Sequence, residues 1–269
     1  MHIIVCVKQV PDTTEVKIDP VTNTLDRSGA PSILNPYDAH AVEEAVSIKE
    51  RLGGKVTVIS MGPPGAVEVI KKCISMGVDE GFLLSDAVFA GSDTLATSYI
   101  LYSGIDMIAR QEPFHILLCG KQAIDGDTAQ VGPGIARRFN LPQLTYVDSI
   151  LAINSEEKSL KVRRKLEDGY EIVQSRLPCL ITVEKSLNEL RYSSLPNMLR
   201  GARYRPSIIS AKDMEADQSM MGLKGSATSV TKIFPPPQRN QGEIFSGDAQ
   251  SAVDHLIDKL EKRVISNGS

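Results

Sequence analysis

The segment between Gly120 and Gly134 has the clearest capacity to bind a ligand, and it directly follows the apolar run Phe114–Cys119. Its small residues would let the main chain approach a ligand closely. A helix starting near Gly132 would direct free amide groups and a positive dipole end toward an anion such as a pyrophosphate. Four side chains could bond ribose or adenine: Asp125, Asp127, Thr128 and Gln130. A solvated turn between a strand and a helix fits the same residues, because the Walker and GxGxxG spacings are absent from the sequence.

Three other segments could contribute to the same site, and each also has a simpler structural explanation. Lys8, in Cys6–Asp12, could face a phosphate or be the first solvated residue after a strand. Asn35 and Asp38 could contact a ligand, or Asn35 could cap a helix while Asp38 stabilises its dipole. The turn Ser60–Gly65 could pass under an adenine, although many α/β turns have similar glycines.

The sequence shows no pattern typical of side-chain catalysis or metal binding. The histidines lack metal-ligand spacing, and His115 is expected in the core because it falls inside a predicted strand. No GxSxG elbow and no local Cys/His pairing occurs. The cysteines lie far apart without a CxxC pair, so neither a zinc site nor a disulfide framework is predicted; they are Cys6, Cys73, Cys119 and Cys179. We therefore predict no catalytic residue and no metal, and a chain that holds a nucleotide.

Short apolar runs alternate with helical patterns in the first half of the chain. The predicted strands are His2–Lys8, Lys55–Met61, Gly81–Ser85 and Phe114–Cys119. The predicted helices are Tyr37–Leu52, Ala66–Met76, Asp93–Arg110 and Ile135–Phe139. This alternation predicts an α/β fold, a Rossmann-like parallel sheet with helices on both faces. Ligands bind such sheets beyond the carboxyl ends of the strands, where the strand order reverses. The segments to consider are therefore those after Val7, Met61, Leu84 and Cys119.

The pattern changes after about Leu141. Four strand-like runs predict an antiparallel extension of the sheet; they are Val147–Ile153, Ser159–Arg164, Tyr170–Ser175 and Cys179–Glu184. Apolar periodicity is weak from Lys185 until a final amphipathic helix at about Asp248–Val264, and the proline run at 235–237 is interpreted as a spacer. We predict a nucleotide-binding domain over residues 1–188. Residues 189–269 are predicted to form a basic loop and an extended arm, whose final helix packs on a partner.

The composition is that of a globular protein and excludes several classes. With 42% hydrophobic and 23% charged residues, the chain of 269 residues is not globally disordered. A formal net charge of −3 argues against a protein that binds nucleic acid along its whole chain. No apolar run approaches the ~18 residues of a membrane span, and Met1–Val5 lacks the features of a signal peptide. We therefore expect a cytoplasmic protein without stable membrane insertion.

Motifs along the whole chain resemble those of the β subunit of electron transfer flavoproteins. In chain order they are CVKQVPD, NPYDAHAVEEA, MGPP, GKQAIDGDTAQVGP and the stretch from Val162 to Thr182. The last is the most specific, because it combines a basic strand, an acidic turn and a second strand that ends in a proline. The loop Arg191–Arg200 and the later PPPQR also fit.

The resemblance implies a heterodimer with a larger α subunit that holds its own FAD, while this subunit binds an adenine nucleotide. That nucleotide is AMP in the simpler members and a second FAD in the electron-bifurcating members. Ala129 and Val131 stand where AMP-type chains typically carry Asn and Thr, and Asp38 stands where they often carry Cys. These exchanges resemble the bifurcating group and favour FAD. The residues expected to bind the cofactor are Cys6, Val7, Lys8, Asn35, Asp38, Met61, Gly62, Gly120, Asp125, Gly126, Asp127, Thr128, Ala129, Gln130, Val131, Gly132 and Pro133.

For a bifurcating member, the resemblance implies that NADH passes a hydride to the FAD of this subunit. One electron would continue through the α-subunit FAD to a flavin dehydrogenase of the acyl-CoA or lactate type. The other would reduce ferredoxin or flavodoxin. The resemblance also places a recognition loop for the dehydrogenase at Leu195, Pro196, Met198 and Arg200, with Leu195 as the anchor. The alternative for Leu195 is a loop residue folded back on its own domain.

Two other functions remain open on the sequence. The first is an AMP-binding electron carrier of the same family. The second, of another class, is a stand-alone adenine-nucleotide-binding module. An ATP-pyrophosphatase would need an SGGxDS-like phosphate loop after the first strand, and the sequence has none.

Overall fold

The computed structural model describes residues 1–12, 17–18, 25–26, 31–229, 231, 242, 244–245 and 247–266. The chain divides into two compact units, Met1–Thr231 and Lys232–Ser269. The proline run at 235–237, interpreted above as a spacer, lies outside the described residues.

Strands and helices alternate through the first unit. The described strands are β1 (His2–Val7), β2 (Gln9–Pro11), β3 (Lys17–Ile18), β4 (Leu25–Asp26), β5 (Ser32–Leu34), β6 (Lys55–Met61), β7 (Glu80–Leu84), β8 (Ile116–Gly120), β9 (Gln143–Asn154), β10 (Ser159–Leu166), β11 (Gly169–Arg176), β12 (Cys179–Val183) and β13 (Ser207–Ile209). The described helices are α1 (Pro36–Leu52), α2 (Val67–Met76), α3 (Thr94–Gln111), α4 (Val131–Phe139), α5 (Leu195–Arg203), α6 (Gly222–Gly225) and, in the second unit, α7 (Ala249–Ser266).

Within the described residues, nine strands form one sheet in the order β11-β10-β9-β12-β8-β1-β6-β7-β13. β1 is buried along its whole length and pairs in parallel with β6 on one side and β8 on the other. The chain moves outward from β1 through β6 to β7 and then crosses to β8, on the opposite side of β1. The strand order therefore reverses between β1 and β8, which is where parallel α/β sheets bind ligands.

Helices cover both faces of this sheet, so the predicted fold class is confirmed. One core cluster contains Val42 of α1 and Ile70 of α2, and the other contains Ile100 of α3 and Ile135 of α4. Both clusters include alternate residues of β1, because successive side chains of a strand point to opposite faces. This explains why the central strands have continuous apolar sequences.

The antiparallel extension is confirmed for β9, β10 and β11, but the predicted orientation of the fourth run is wrong. β12 lies between β8 and β9 and is parallel to both. All five residues of β12 are buried. A strand enclosed on both edges and both faces has the same apolar sequence in either orientation, so the pattern alone does not separate the two.

The described residues after 188 join the first unit up to Thr231. β13 pairs with the edge strand β7, and Met214 and Met221 are buried against the α3 side of the sheet. The division into compact units therefore falls later than the boundary expected from composition.

In the second unit, α7 carries an exposed apolar stripe made of Val253, Leu256, Ile257 and Leu260. No helix among the described residues is long and apolar enough to cross a membrane.

Candidate functional site

A cavity of about 350 Å³ lies at the carboxyl ends of β1 and β8, at the reversal of the strand order. Its walls come from the ends of β1, β6 and β8, the starts of α1, α3 and α4, and the loop between β8 and α4. The lining residues are Cys6, Val7, Lys8, Asn35, Asp38, Met61, Ser92, Asp93, Thr94, Thr97, Leu101, Cys119, Gly120, Lys121, Gln122, Ala123, Gly126, Asp127, Thr128, Ala129, Gln130, Val131 and Gly132.

Most of the residues predicted to bind a cofactor line this one cavity. Three of them do not line it: Gly62, Asp125 and Pro133. Asp125 lies beside the cavity, since it forms an ion pair with the lining residue Lys8. The three-dimensional arrangement thus brings together segments that are more than 100 residues apart in the chain.

Asn35 fastens the loop that follows β8. Asn35 occupies the N-cap position of α1, but in the described structure its side chain makes no capping hydrogen bond. Its amide instead donates to the carbonyl of Gln122 at 2.9 Å, and its carbonyl accepts from the amide of Ile124 at 3.3 Å. The prediction of Asn35 at the N-cap position is confirmed, but its buried side chain holds the base of the loop in place instead of bonding the first turn of α1.

Asp38 joins the ends of the two strands at the reversal point. Its Oδ2 accepts a hydrogen bond from the amide of Lys8 at 2.8 Å, and its Oδ1 accepts one from the amide of Gly120 at 3.1 Å. Burial raises the pKa of Asp38 to about 7, although hydrogen bonds from the Asn35 side chain and from the amides of Lys8 and Gly120, together with the charge of Lys8, act in the opposite direction. The carboxyl group therefore changes charge near neutral pH while it lies on the wall of the cavity.

Lys8 and Asp125 pair across the mouth of the cavity. The Lys8 ammonium lies 2.7 Å from one carboxylate oxygen of Asp125 and 2.8 Å from the other. About half of the Lys8 side chain is exposed, so the pair is solvated and can exchange partners at small cost. In this structure the Lys8 side chain is half-exposed and its partner is a side chain of the facing loop.

The start of α4 faces the cavity with uncapped amide groups. The N-cap residue Gln130 makes no capping hydrogen bond in the described structure; its side-chain carbonyl accepts instead from the Thr94 hydroxyl at 2.8 Å. The first-turn amides of Val131 and Gly132 have no partner within the helix. A β-carbon on Gly132 would lie 2.8 Å from Cγ2 of Thr182, so the absence of a side chain lets α4 approach the sheet closely.

The loop before α4 has two strained positions. Asp127 and Ala129 have φ angles of 49° and 54°, in the left-handed region that non-glycine residues rarely adopt. Asp127 is held there by a hydrogen bond from the Gln122 side chain at 2.7 Å and by its own amide bonding the carbonyl of Ala123 at 2.9 Å. Strain of this kind clusters at binding sites.

Sequence reasoning missed one wall of the cavity. Besides the apolar Leu101, four polar residues after β7 line it: Ser92, Asp93, Thr94 and Thr97. The segment after Leu84 is among the predicted strand ends, but none of these four residues is predicted to have a role. An available signal was Asp93 directly before a helix, and Asp93 does cap α3 through the amides of Leu95 and Ala96. Lys121, Gln122 and Ala123 lie inside a loop that the sequence does identify.

Two thiols lie side by side on the cavity wall. Cys6 and Cys119 are paired in register on β1 and β8 and are both buried. A hydrogen bond with Cys6, together with burial, raises the pKa of Cys119 well above its usual value. Neither disulfides among the cysteines nor groups of side chains suited to a metal occur in the described residues.

His115 is exposed and precedes β8, so its predicted place in the core is wrong.

The predicted recognition residues lie on another surface of the first unit. Leu195 and Pro196 begin α5, which Ser194 caps, and Leu195 is 69% exposed. Met198 is also exposed. Arg200, by contrast, donates hydrogen bonds to the carbonyls of Val78 and Asp79 and so anchors α5 to its own domain.

Comparison with known proteins gives consistent matches. Residues 22–214 match the model of the electron transfer flavoprotein domain. The chain is 47% identical over 264 residues to an electron transfer flavoprotein subunit beta of Thermoanaerobacterium thermosaccharolyticum, covering 98% of this chain and 99% of that protein. It is 46% identical to Protein FixA of Azotobacter vinelandii, covering 97% and 94% of the two chains. It is 45% identical to the caffeyl-CoA reductase-Etf complex subunit CarD of Acetobacterium woodii, covering 98% and 100%.

Proposed function

This chain belongs to the electron transfer flavoprotein family as a β subunit, and from that premise we propose that it is of the bifurcating type. In this proposal the cavity at the ends of β1 and β8 holds the adenine-nucleotide part of an FAD. The residues that line the cavity would hold that part of the cofactor. For a chain of this type, the electron donor would be NADH, and the two acceptors would be a dehydrogenase partner and a ferredoxin or flavodoxin.

The observation that carries this proposal is the bare start of α4. Two first-turn amides and the positive end of the helix dipole face the cavity without a capping side chain. Ala129 and Val131, which flank Gln130, offer no polar side chain to a single phosphate. Main-chain amides at a helix start suit a diphosphate, because they bond oxygen atoms without filling the space that the second phosphate needs.

The cavity size agrees with this use. About 350 Å³ lies at the lower end of the usual range for small-molecule sites, roughly 300–1,000 Å³. The cavity therefore suits the nucleotide part of a dinucleotide better than the whole molecule. Lys8 at the mouth is placed to exchange Asp125 for a phosphate group, since its own side chain is about half-exposed.

When bound, FAD supplies both two-electron and one-electron chemistry. The residues of this chain bind and orient it. Asn35 holds the loop against the ligand, Asp38 and Gly120 fix the two strand ends, and α4 provides the anion site. The proposal assigns no acid, base or nucleophile to the side chains.

The family implies an α subunit as the stable partner, and we propose that α7 docks on it. α7 presents Val253, Leu256, Ile257 and Leu260 on one exposed face, at the spacing of an amphipathic helix that binds a groove. The relative CarD is named as part of a caffeyl-CoA reductase complex. By analogy we propose a flavin dehydrogenase of the acyl-CoA or lactate type as the electron acceptor, recognised through Leu195, Pro196 and Met198.

The AMP-binding electron carrier is the second candidate, because a cavity of this volume also accommodates a mononucleotide. The stand-alone module loses its support, since two relatives that match over almost the full chain are named as a subunit of an electron transfer flavoprotein and a subunit of a reductase-Etf complex.

The decisive experiment counts nucleotides in the heterodimer co-expressed with the α subunit. After denaturation, chromatography should find two FAD and no AMP per heterodimer. One FAD with one AMP would establish the second candidate instead. One FAD without any second nucleotide would contradict both.

A matched pair of variants assigns the second FAD to this cavity. Asn35→Ala frees the loop at Gln122 and Ile124, so it should lower the count from two FAD to one. Asn188→Ala is the control, because Asn188 also bonds α1, at the carbonyl of His40, but does not line the cavity. Its count should stay at two. Oxidation of NADH that requires both acceptors together would then support bifurcation.

A further inference from the structure

Asp93 is shared between the cavity and the last segment of the first unit. Its Oδ1 caps α3 by accepting from the amides of Leu95 and Ala96 at 2.9 and 3.0 Å. Its Oδ2 accepts from the amides of Ala227 and Thr228 at 2.8 and 3.0 Å, and from the Thr228 hydroxyl at 3.1 Å. We call residues Gly222–Thr228 the arm root, because they lie near the end of the first unit, shortly before the second unit begins at Lys232.

Further hydrogen bonds hold the arm root against Ser92 and Asp93, the two residues before α3. The Ser226 hydroxyl accepts from the amide of Asp93 at 2.8 Å, and the amide of Gly222 donates to the Ser92 hydroxyl at 3.1 Å. Just before the arm root, Met221 is buried against the core on the α3 side. Burial acts to raise the pKa of Asp93, but hydrogen bonds from Ala96 and Thr228 outweigh it and hold that pKa below the usual value. The carboxylate is therefore charged when it receives these bonds.

A short chain of contacts continues from Asp93 to the anion site. Thr94, the next residue, donates its hydroxyl to the side chain of Gln130, the residue before α4. Further along, α3 and α4 are in close contact, since a β-carbon on Gly134 would lie 2.8 Å from the Ser98 side chain. A displacement of the start of α3 would therefore displace the start of α4.

We propose that Asp93 is a positioning residue that couples the seating of the arm root to retention of the nucleotide in the cavity. The proposal rests on the proposed function, because it needs a nucleotide at that site. With the arm root seated, Asp93 holds Thr94 and Gln130 in the arrangement that leaves the amides of α4 open to phosphate. Linkage makes the effect reciprocal, so a bound nucleotide stabilises the seated arm root.

The chain offers a matched pair of aspartates to test this. Asp93→Asn keeps an oxygen for the helix cap, because Asn and Asp cap equally well. It also turns an amide donor toward the amide donors of Ala227 and Thr228. Asp86→Asn is the control, since Asp86 receives the amides of Val88 and Ala211 in the same way but does not line the cavity.

The experiment measures two quantities in the heterodimer. The first is the dissociation rate of the bound nucleotide, with FAD and AMP each quantified by chromatography. The second is the rate of trypsin cleavage after Lys224, an exposed residue of the arm root. It is measured on the heterodimer with its nucleotide bound and on heterodimer from which dialysis against a chaotropic salt has removed the nucleotide. Asp93→Asn should release nucleotide about tenfold faster, a typical size for coupled sites. It should also remove the protection of Lys224 by nucleotide, while Asp86→Asn behaves as wild type.

Ser226→Ala separates coupling from direct contact with the ligand. Ser226 bonds Asp93 from the arm root and does not line the cavity, so its loss should speed nucleotide release in the same direction. Fast nucleotide release in Asp93→Asn together with a wild-type release rate in Ser226→Ala would overturn the proposal. A rate of cleavage after Lys224 that is the same with and without nucleotide in the wild-type protein would also overturn it. Wild-type retention in Asp93→Asn would overturn the coupling and leave the proposed function standing. A wild-type heterodimer without nucleotide in this subunit would overturn both.

Discussion

Gly120 and Asp38 fit together so closely that only a glycine allows the contact. The amide of Gly120 donates to Oδ1 of Asp38 at 3.1 Å, and a β-carbon on Gly120 would collide with that oxygen and lie 2.8 Å from the Asp38 main-chain nitrogen. The start of α1 thus rests directly on the end of β8. This contact sets the width of the cavity at the reversal of the strand order.

Gly120→Ala should separate α1 from β8 and weaken nucleotide retention. The overpacking should cost about 1–3 kcal/mol of stability. Gly126→Ala is the control, because Gly126 also lines the cavity but a β-carbon added to it would meet no described atom within 4 Å. Thermal unfolding and nucleotide content measured on both variants check this. Equal behaviour of the two alanines would contradict the close-contact argument.

Asp38 should make the stability of the protein fall as the pH rises from about 4 to about 7. Its folded pKa, about 7, lies above the unfolded value of 3.8, so the folded state binds the extra proton in that interval. The stabilisation is complete below the unfolded pKa and is lost as the pH passes the folded pKa. In infrared spectra, the band of a protonated carboxyl group should disappear with a midpoint near pH 7.

The control for this titration is Asp38→Asn, which cannot ionise. Its spectra should lack the titrating band, and its stability should lose the decline over the same pH interval. A wild-type band that disappears near pH 4 would show that the carboxyl group stays charged at neutral pH, against the expected effect of burial.

The double change Leu256→Ala and Leu260→Ala should weaken binding to the α subunit. Both leucines lie on the exposed apolar stripe of α7, and removing two such contacts should raise the dissociation constant by roughly 10–100-fold. Asp258→Ala with Lys262→Ala is the control on the opposite face, where these residues form an ion pair at 2.6 Å. Titration calorimetry or analytical ultracentrifugation measures the difference. Equal affinities for the two double variants would exclude the apolar stripe as the docking face.

Leu195→Ala should slow electron transfer to the dehydrogenase and leave the FAD content unchanged. Leu195 is 69% exposed at the start of α5, and no part of α5 lines the cavity. Loss of an anchoring leucine should raise the half-saturating dehydrogenase concentration by about tenfold. Ile208→Ala, at an exposed residue of β13, is the control for a general loss of apolar surface. Unaltered transfer kinetics would remove Leu195 from the recognition surface.

The sequence predicts most of the cavity because strand ends carry local signals. The glycine-rich segment after β8 and the start of α1 are recognisable from their residue types alone. Asp93 is not, since its main partners, Ala227 and Thr228, lie more than 130 residues further along the chain. The bonds of the Asn35 side chain were missed for the same reason. Its partners Gln122 and Ile124 are distant in the chain and are brought next to it only by the sheet, so the sequence shows Asn35 only as a helix cap.

By itself the sequence determined the alternation of strands and helices and the parallel core, because hydrophobic period and turn residues act over short distances along the chain. The resemblance to the family was likewise visible in the sequence, because the motifs that carry it are short and continuous. Only the tertiary structure decided that β12 runs parallel and that Asp38 joins Lys8 to Gly120. It also decided that Lys8 pairs with Asp125. These are relations between distant segments, and they form when the carboxyl ends of β1 and β8 are packed side by side.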